Sequence, residues 1–200
     1  MSGQADKSEN ILGVIIAGGK SVRMQGYNKL LLPFGRTTIL EHVIDRLSPQ
    51  VHELYLNCND AVFKDNVSIK VVPDAKEHRE IGPIGGLITA LTLAKSLGYQ
   101  KLVTVAGDTP FLPDDFVSKL CKNEGDVVVA CSRGRLHPVC ALWDIGILNT
   151  LEEHVRDGKR KLMPLLDELG AIEVSWATDP DPFFNINTPA DHERAKGMVQ

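Results

Sequence analysis

At 200 residues, with 43% apolar and 24% charged residues, the chain is sized for one globular domain with a substantial core. A formal net charge of -4 argues against a broad nucleic-acid or anionic-membrane binder, while leaving room for a local basic pocket. No apolar run approaches the roughly 20 residues of a spanning helix, and the four cysteines form no C-x-x-C pair, so reduced structural thiols in a cytoplasmic protein are expected.

Residues 1–10, MSGQADKSEN, are polar and carry no apolar signal core, which reads as a flexible tail rather than a targeting segment. Ile11 to Ile16 is a short β-branched run and predicts a buried strand. Ala17-Gly18-Gly19 follows it. Paired glycines let backbone N–H groups approach an anion closely, because no Cβ intervenes. Arg23 and Lys29 lie within loop distance of that anion site and suit phosphate oxygens. Taken alone, the glycines equally suit a tight turn and the two cations a solvated loop.

Thr38 is placed to cap a helix over residues 39–47, with Glu41 completing a capping box, and Ser48-Pro49 ends it. Residues 53–58 and 69–72 predict two further strands, with Asn57 near the end of the first and Asp74 just past the second. Residues 75–81 read as a surface loop. Gly82-Pro83-Ile84-Gly85-Gly86 opens a helix whose Leu87, Leu91, Ala94 and Leu97 share one face, with Gly98 as its C-cap. Residues 101–106 form a fourth strand that runs directly into Gly107-Asp108-Thr109-Pro110, and Pro113 is placed to start a helix reaching about Cys121. Strands follow at 126–131, 137–143 and 172–176, and helices at 145–156, 160–169 and from about Ala190.

Strands and helices alternate over the first 125 or so residues. The pattern predicts an α/β fold: a doubly wound, mainly parallel sheet with helices on both faces, forming one domain over residues 11–200. Such sheets bind ligands at the carboxyl ends of their strands. Gly18, Gly19, Asn57, Asp74 and Asp108 each follow a strand, so they converge on one sheet edge.

A carboxylate in the position of Asp108 suits Mg²⁺, which prefers oxygen ligands and bridges to phosphates; a turn or helix-capping aspartate is the competing reading. A glycine loop, two cations and a strand-end carboxylate together make a coherent phosphoryl-transfer site. The Walker pattern G-x-x-x-x-G-K-[ST] and the dinucleotide pattern G-x-G-x-x-G are both absent, as is the G-x-S-x-G elbow of serine hydrolases. His137 and Cys140 are placed on opposite strand faces, against a metal pair, though His137 with Arg133 and Arg135 could line a cleft. Asp179 and Asp181 read as turn residues, and His192-Glu193 as a solvated helix face.

These motifs resemble the molybdenum cofactor guanylyltransferases, the MobA family of nucleotidyltransferases. The resemblance rests on Ile16-Ala17-Gly18-Gly19-Lys20-Ser21 with Arg23-Met24, on Lys29, Asn57 and Asp74, and on Gly82-Pro83-x-Gly85-Gly86. Gly107-Asp108-Thr109-Pro110, His137-Pro138 and Asn185-Ile186-Asn187-Thr188-Pro189 complete it. It implies a Rossmann-like nucleotidyltransferase fold, with a nucleotide-binding part over about 11–110 and an acceptor-binding part over about 111–200. It further implies that GTP binds near Ile16, Ala17, Gly18, Gly19, Asn57 and Asp74. Asp108 would hold Mg²⁺ on the triphosphate, and Arg23 and Lys29 would neutralise charge during transfer. Gly82, Asn185 and Asn187 would hold molybdenum-molybdopterin, and molybdoenzyme apoproteins or their chaperones would receive the product, with no nucleic acid or membrane involved. Cytidylyl relatives carry Ala-Ala-Gly where this chain has Ala17-Gly18-Gly19, which favours guanine. A CTP-dependent molybdopterin cytidylyltransferase and another small-phosphate nucleotidyltransferase remain the alternatives.

Overall fold

A computed structural model describes residues 10–17, 23–24 and 27–198. Its strands are β1 Ile11–Ile16, β2 Arg23–Met24, β3 Tyr27–Asn28, β4 Pro33–Phe34, β5 Thr37–Thr38, β6 Glu53–Asn57, β7 Lys70–Val72, β8 Lys101–Ala106, β9 Val127–Ser132, β10 Arg135–Asp144 and β11 Ile172–Trp176. The helices are α1 Ile39–Leu47, α2 Pro83–Ser96, α3 Phe116–Leu120, α4 Leu148–Arg156, α5 Leu162–Glu168 and α6 Pro189–Lys196. Seven strands form one sheet in the order β11-β9-β10-β8-β1-β6-β7, and only β10 runs antiparallel to its neighbours. The remaining pairings are parallel. The expected doubly wound, mainly parallel sheet is therefore present.

Side chains of a strand alternate between faces, and here the two faces are both apolar. Ile11 and Ile15 of β1, Val103 and Val105 of β8, and Val128 and Ala130 of β9 pack with α1, α3 and α6. Leu12, Val14 and Ile16, Leu102, and Val127 and Val129 pack on the other side with α2, α4 and α5. Burial on both faces explains why these strands read as near-continuous apolar runs instead of alternating ones.

Helix boundaries follow local chemistry. Thr38 caps α1 and Glu41 returns the bond to the Thr38 backbone, which is the expected capping box. Gly98, at φ +81°, takes the left-handed position just past α2. Helix α3 begins later than expected. Pro113 starts a turn closed by Phe116 N–H onto its carbonyl at 3.2 Å. Asp115 Oδ1 accepts from Trp176 Nε1 at 3.0 Å, and no side-chain cap bond is made at the helix start. His192 also departs from expectation. It is buried, with Nε2 2.8 Å from the Pro33 carbonyl, so only Glu193 of that pair faces solvent.

Candidate functional site

Register puts the strand ends level. Ile16 pairs with Asn57 on one side and with Ala106 on the other, and Asn57 pairs with Val72. Ala17 N–H then donates to the Asn57 carbonyl at 2.9 Å, and Gly107 N–H to the Ile16 carbonyl at 3.2 Å. Ile16, Ala17, Asn57, Asp74 and Asp108 consequently lie along one sheet edge, as the spacing predicted. Gly18 and Gly19 lie outside the described residues, and so does most of the N-terminal tail. For Arg23 only the backbone is described, paired with Asn28 in the β2–β3 ribbon.

Lys29 is not a solvated loop charge. Asn28 Oδ1 accepts from Leu30 N–H at 3.1 Å and caps a single helical turn over Lys29–Leu31. That turn packs closely on the end of β8: a Cβ at Gly107 would lie 3.1 Å from Leu30 Cδ1. Lys29 is thereby buried to 6% exposure, and its Nζ donates to Asp108 Oδ2 at 2.7 Å and to Asn187 Oδ1 at 2.8 Å. A lysine ammonium has three donors. Among the described residues two are committed, and one remains.

Asp108 caps no helix. Its backbone carbonyl accepts from Ile186 N–H at 3.0 Å, and its carboxylate pairs with Lys29. The turn after it is held instead by Thr109, whose N–H and Oγ1 both donate to the Ala106 carbonyl. Among the described residues Oδ1 of Asp108 has no protein partner. Among the described residues no group of three or more His, Cys, Asp or Glu side chains is arranged to hold a metal ion. One strand-end carboxylate with a free oxygen suits a hard cation such as Mg²⁺, which takes one or two carboxylates and completes its shell with phosphates and water. It does not suit a closed all-protein zinc site.

The Asn57–Asp74 region is a hydrogen-bonded hub. Asp74 Oδ1 accepts from Asn57 Nδ2 at 2.7 Å and from Thr89 Oγ1 at 2.9 Å, and Oδ2 accepts from Asn59 Nδ2 at 2.8 Å. Asn59 Oδ1 also accepts from the Asp74 N–H at 2.8 Å, a two-point clamp. A carboxylate has about four acceptor sites, so one remains on Oδ2. Asn59 and Thr89 were not singled out from the sequence. Their signals were an asparagine two places beyond Asn57 and a hydroxyl in the otherwise apolar run 87–91.

Gly85 and Gly86 serve this hub by packing. A Cβ on Gly86 would lie 2.4 Å from Asn57 Oδ1, and one on Gly85 would lie 2.2 Å from the His78 carbonyl. Asn57 Oδ1 is buried against that glycine and has no hydrogen-bond partner among the described residues. Gly82 is exposed, at φ +81° and ψ -160°, where the chain turns into α2.

Toward the far end of the sheet edge, His137 and Cys140 stay apart. His137 stacks on Phe183 with ring centroids 4.8 Å apart, and its Nε2 lies 2.8 Å from Ser132 Oγ. Ser132 Oγ in turn donates to Asp181 Oδ1 at 2.8 Å, while Arg133 pairs with Asp179. Burial pushes the His137 ring below its ordinary pKa, with Asp181 opposing and Arg135 reinforcing that shift. Cys140 is buried near Ala106 and Thr109, and burial pushes its thiol up to about 12. All four cysteines are unpaired thiols. Asn185 and Asn187 are both exposed, but the Asn187 side chain reaches Lys29 and so belongs with Asp108.

The family described as MobA-like NTP transferase domain matches residues 13–172. A molybdenum cofactor guanylyltransferase of Rhizobium leguminosarum bv. trifolii is 38% identical over 201 residues, covering 95% of this chain and 93% of the relative. One of Mesorhizobium japonicum is 36% identical over 202 residues, covering 96% and 97%. The crystal structure of molybdopterin-guanine dinucleotide biosynthesis protein A from Archaeoglobus fulgidus superposes with a TM-score of 0.73 at 24% identity, covering 94% of this chain and 97% of that one, which shows a shared fold.

Proposed function

The chain belongs to the MobA-like NTP transferase domain family, and from that premise we propose that it transfers GMP from GTP to molybdenum-molybdopterin, forming molybdopterin guanine dinucleotide and pyrophosphate. The observation that carries the reading is the Lys29–Asp108–Asn187 cluster at the sheet edge of a chain whose relatives are guanylyltransferases.

In this reading the residues to about 110 hold the nucleotide and those beyond hold the acceptor. An oxygen of the acceptor's phosphate attacks the α-phosphorus in line, and the bond to the bridging oxygen of pyrophosphate breaks. The free donor of Lys29 faces the phosphates and offsets the charge that builds there. Arg23 and the backbone of Gly18 and Gly19 complete the phosphate seat. Asp108 would hold Mg²⁺, which when bound withdraws charge from the triphosphate. Asp74, clamped by Asn57, Asn59 and Thr89, offers its remaining acceptor site to a base N–H, beside Ile16 and Ala17. Gly82 and Asn185 face the pterin.

We place the reaction in the cytoplasm, with molybdoenzyme apoproteins or their chaperones as recipients; no helix among the described residues is long and apolar enough to cross a membrane. The test is incubation with GTP, Mg²⁺ and molybdopterin, measuring pyrophosphate and the dinucleotide. Product from CTP and none from GTP would remove the guanine assignment and leave the transferase fold standing.

A further inference from the structure

Resemblance assigns Asn187 to the acceptor. The structure gives its side-chain oxygen a different partner, Lys29 Nζ at 2.8 Å. We infer that Asn187 is a positioning residue of the nucleotide half: it fixes the one free N–H of Lys29 toward the phosphates, before any acceptor is present. This rests on the phosphate-binding role proposed for Lys29.

Lys29 is almost fully buried, and two of its three donors are fixed by Asp108 Oδ2 and Asn187 Oδ1. With two N–H directions set, the third has one direction left. With Asp108 alone, the four-carbon stem could still swing Nζ about that single hydrogen bond and carry the third donor with it; the second bond, to Asn187, holds Nζ and so the third donor in place. Asn187 can set a direction because its own segment is held. Ile186 N–H donates to the Asp108 carbonyl at 3.0 Å, and Asn187 N–H donates to Asp191 Oδ2 at 3.1 Å. Asp191 also closes the Thr188 capping box at the start of α6. The segment 186–188 is thus bonded to the nucleotide site at two points, and a ligand that moves it must move Lys29.

Pinning Lys29 early has a consequence for substrate binding. A preorganised donor loses less freedom when the phosphate arrives. By linkage, an acceptor that draws Asn187 away would change nucleotide affinity, and the nucleotide would change acceptor affinity by the same factor.

The experiment is a double-mutant cycle on nucleotide binding without acceptor. GTP with Mg²⁺ is titrated calorimetrically into the wild type, Asn187→Ala, Lys29→Ala and the double variant, with melting curves as the control for folding. The expected result is about tenfold weaker binding for Asn187→Ala, the loss of one hydrogen bond to a charged group, and no further weakening when Asn187→Ala is added to Lys29→Ala. Asn187→Ser, which keeps a shorter oxygen acceptor, should recover part of the loss. Unchanged GTP affinity in Asn187→Ala, or an equal loss with and without Lys29, would overturn the inference. If the wild type binds CTP and not GTP, the guanine reading fails, and the same cycle run with CTP still decides the role of Asn187.

Discussion

Lys29 Nζ and Asp108 Oδ2 are 2.7 Å apart across 79 residues of chain, and both side chains are largely withdrawn from water. Removing either partner strands the other. Asp108→Ala should therefore cut kcat at least about 100-fold by loss of transition-state electrostatics and also lower stability by up to about 3 kcal/mol, because a buried ammonium loses its counter-charge. Asp108→Asn keeps an acceptor for Lys29, so it should lose activity comparably and much less stability. Rates together with urea denaturation of both variants separate the two effects; full turnover in Asp108→Ala would remove this carboxylate from the reaction.

Selectivity for the base should depend on side chains that touch no nucleotide. Asn59→Ala and Thr89→Val each delete one bond to the Asp74 carboxylate. If Asp74 reads the base, each should lower the preference for GTP over CTP and ATP by about tenfold in kcat/KM. An equal fall for all three nucleotides would mean that the hub supports the fold alone.

Gly86→Ala should destabilise the protein by about 1–3 kcal/mol, read as a lower Tm, because its new Cβ would lie 2.4 Å from Asn57 Oδ1 and 3.0 Å from Ile16 Cγ2. Gly82→Ala meets open space but keeps φ at +81° and ψ at -160°, a conformation that only glycine adopts readily, so the backbone strain alone remains, about 1–3 kcal/mol. A Gly86→Ala protein as stable as the wild type would show that α2 can shift without loss.

His137 provides a pH test. Burial, the largest cause, holds the folded ring below its ordinary value of 6.5. Above that value the ring is neutral in both states and the full stability is present. As the pH falls below it the unfolded chain takes up a proton first, and stability is lost progressively until the folded ring protonates. Wild type should therefore lose more stability than His137→Gln between about pH 7.5 and about pH 5.5 in urea titrations. Equal losses would place the acid sensitivity elsewhere.

Much of this architecture is written in local sequence. Thr38 and Glu41 sit three residues apart and close their capping box unaided. The apolar runs 11–16, 101–106 and 126–131 announce strands buried on both faces, and the singular residues that follow them mark the sheet edge. The rest depends on long-range contact. Asn187 lies 158 residues from Lys29, and no spacing rule links them. Its Asn-x-Asn-Thr-Pro context reads as turn chemistry, which is also true, since Thr188 caps α6. His192 looked exposed because its neighbours are charged, but the carbonyl of Pro33 draws it inward. The Gly85-Gly86 pair was legible only as the opening of a helix, whereas the structure shows it letting α2 pack closely on His78 and Asn57.

GMP transfer to molybdopterin is tested by a matrix of nucleotide against acceptor. Purified protein with Mg²⁺ is given each of GTP, CTP, ATP and UTP, with either molybdopterin or a sugar phosphate, and pyrophosphate and product mass are followed. Turnover is expected with GTP and molybdopterin, yielding the guanine dinucleotide. Turnover with a sugar phosphate and none with molybdopterin would contradict it.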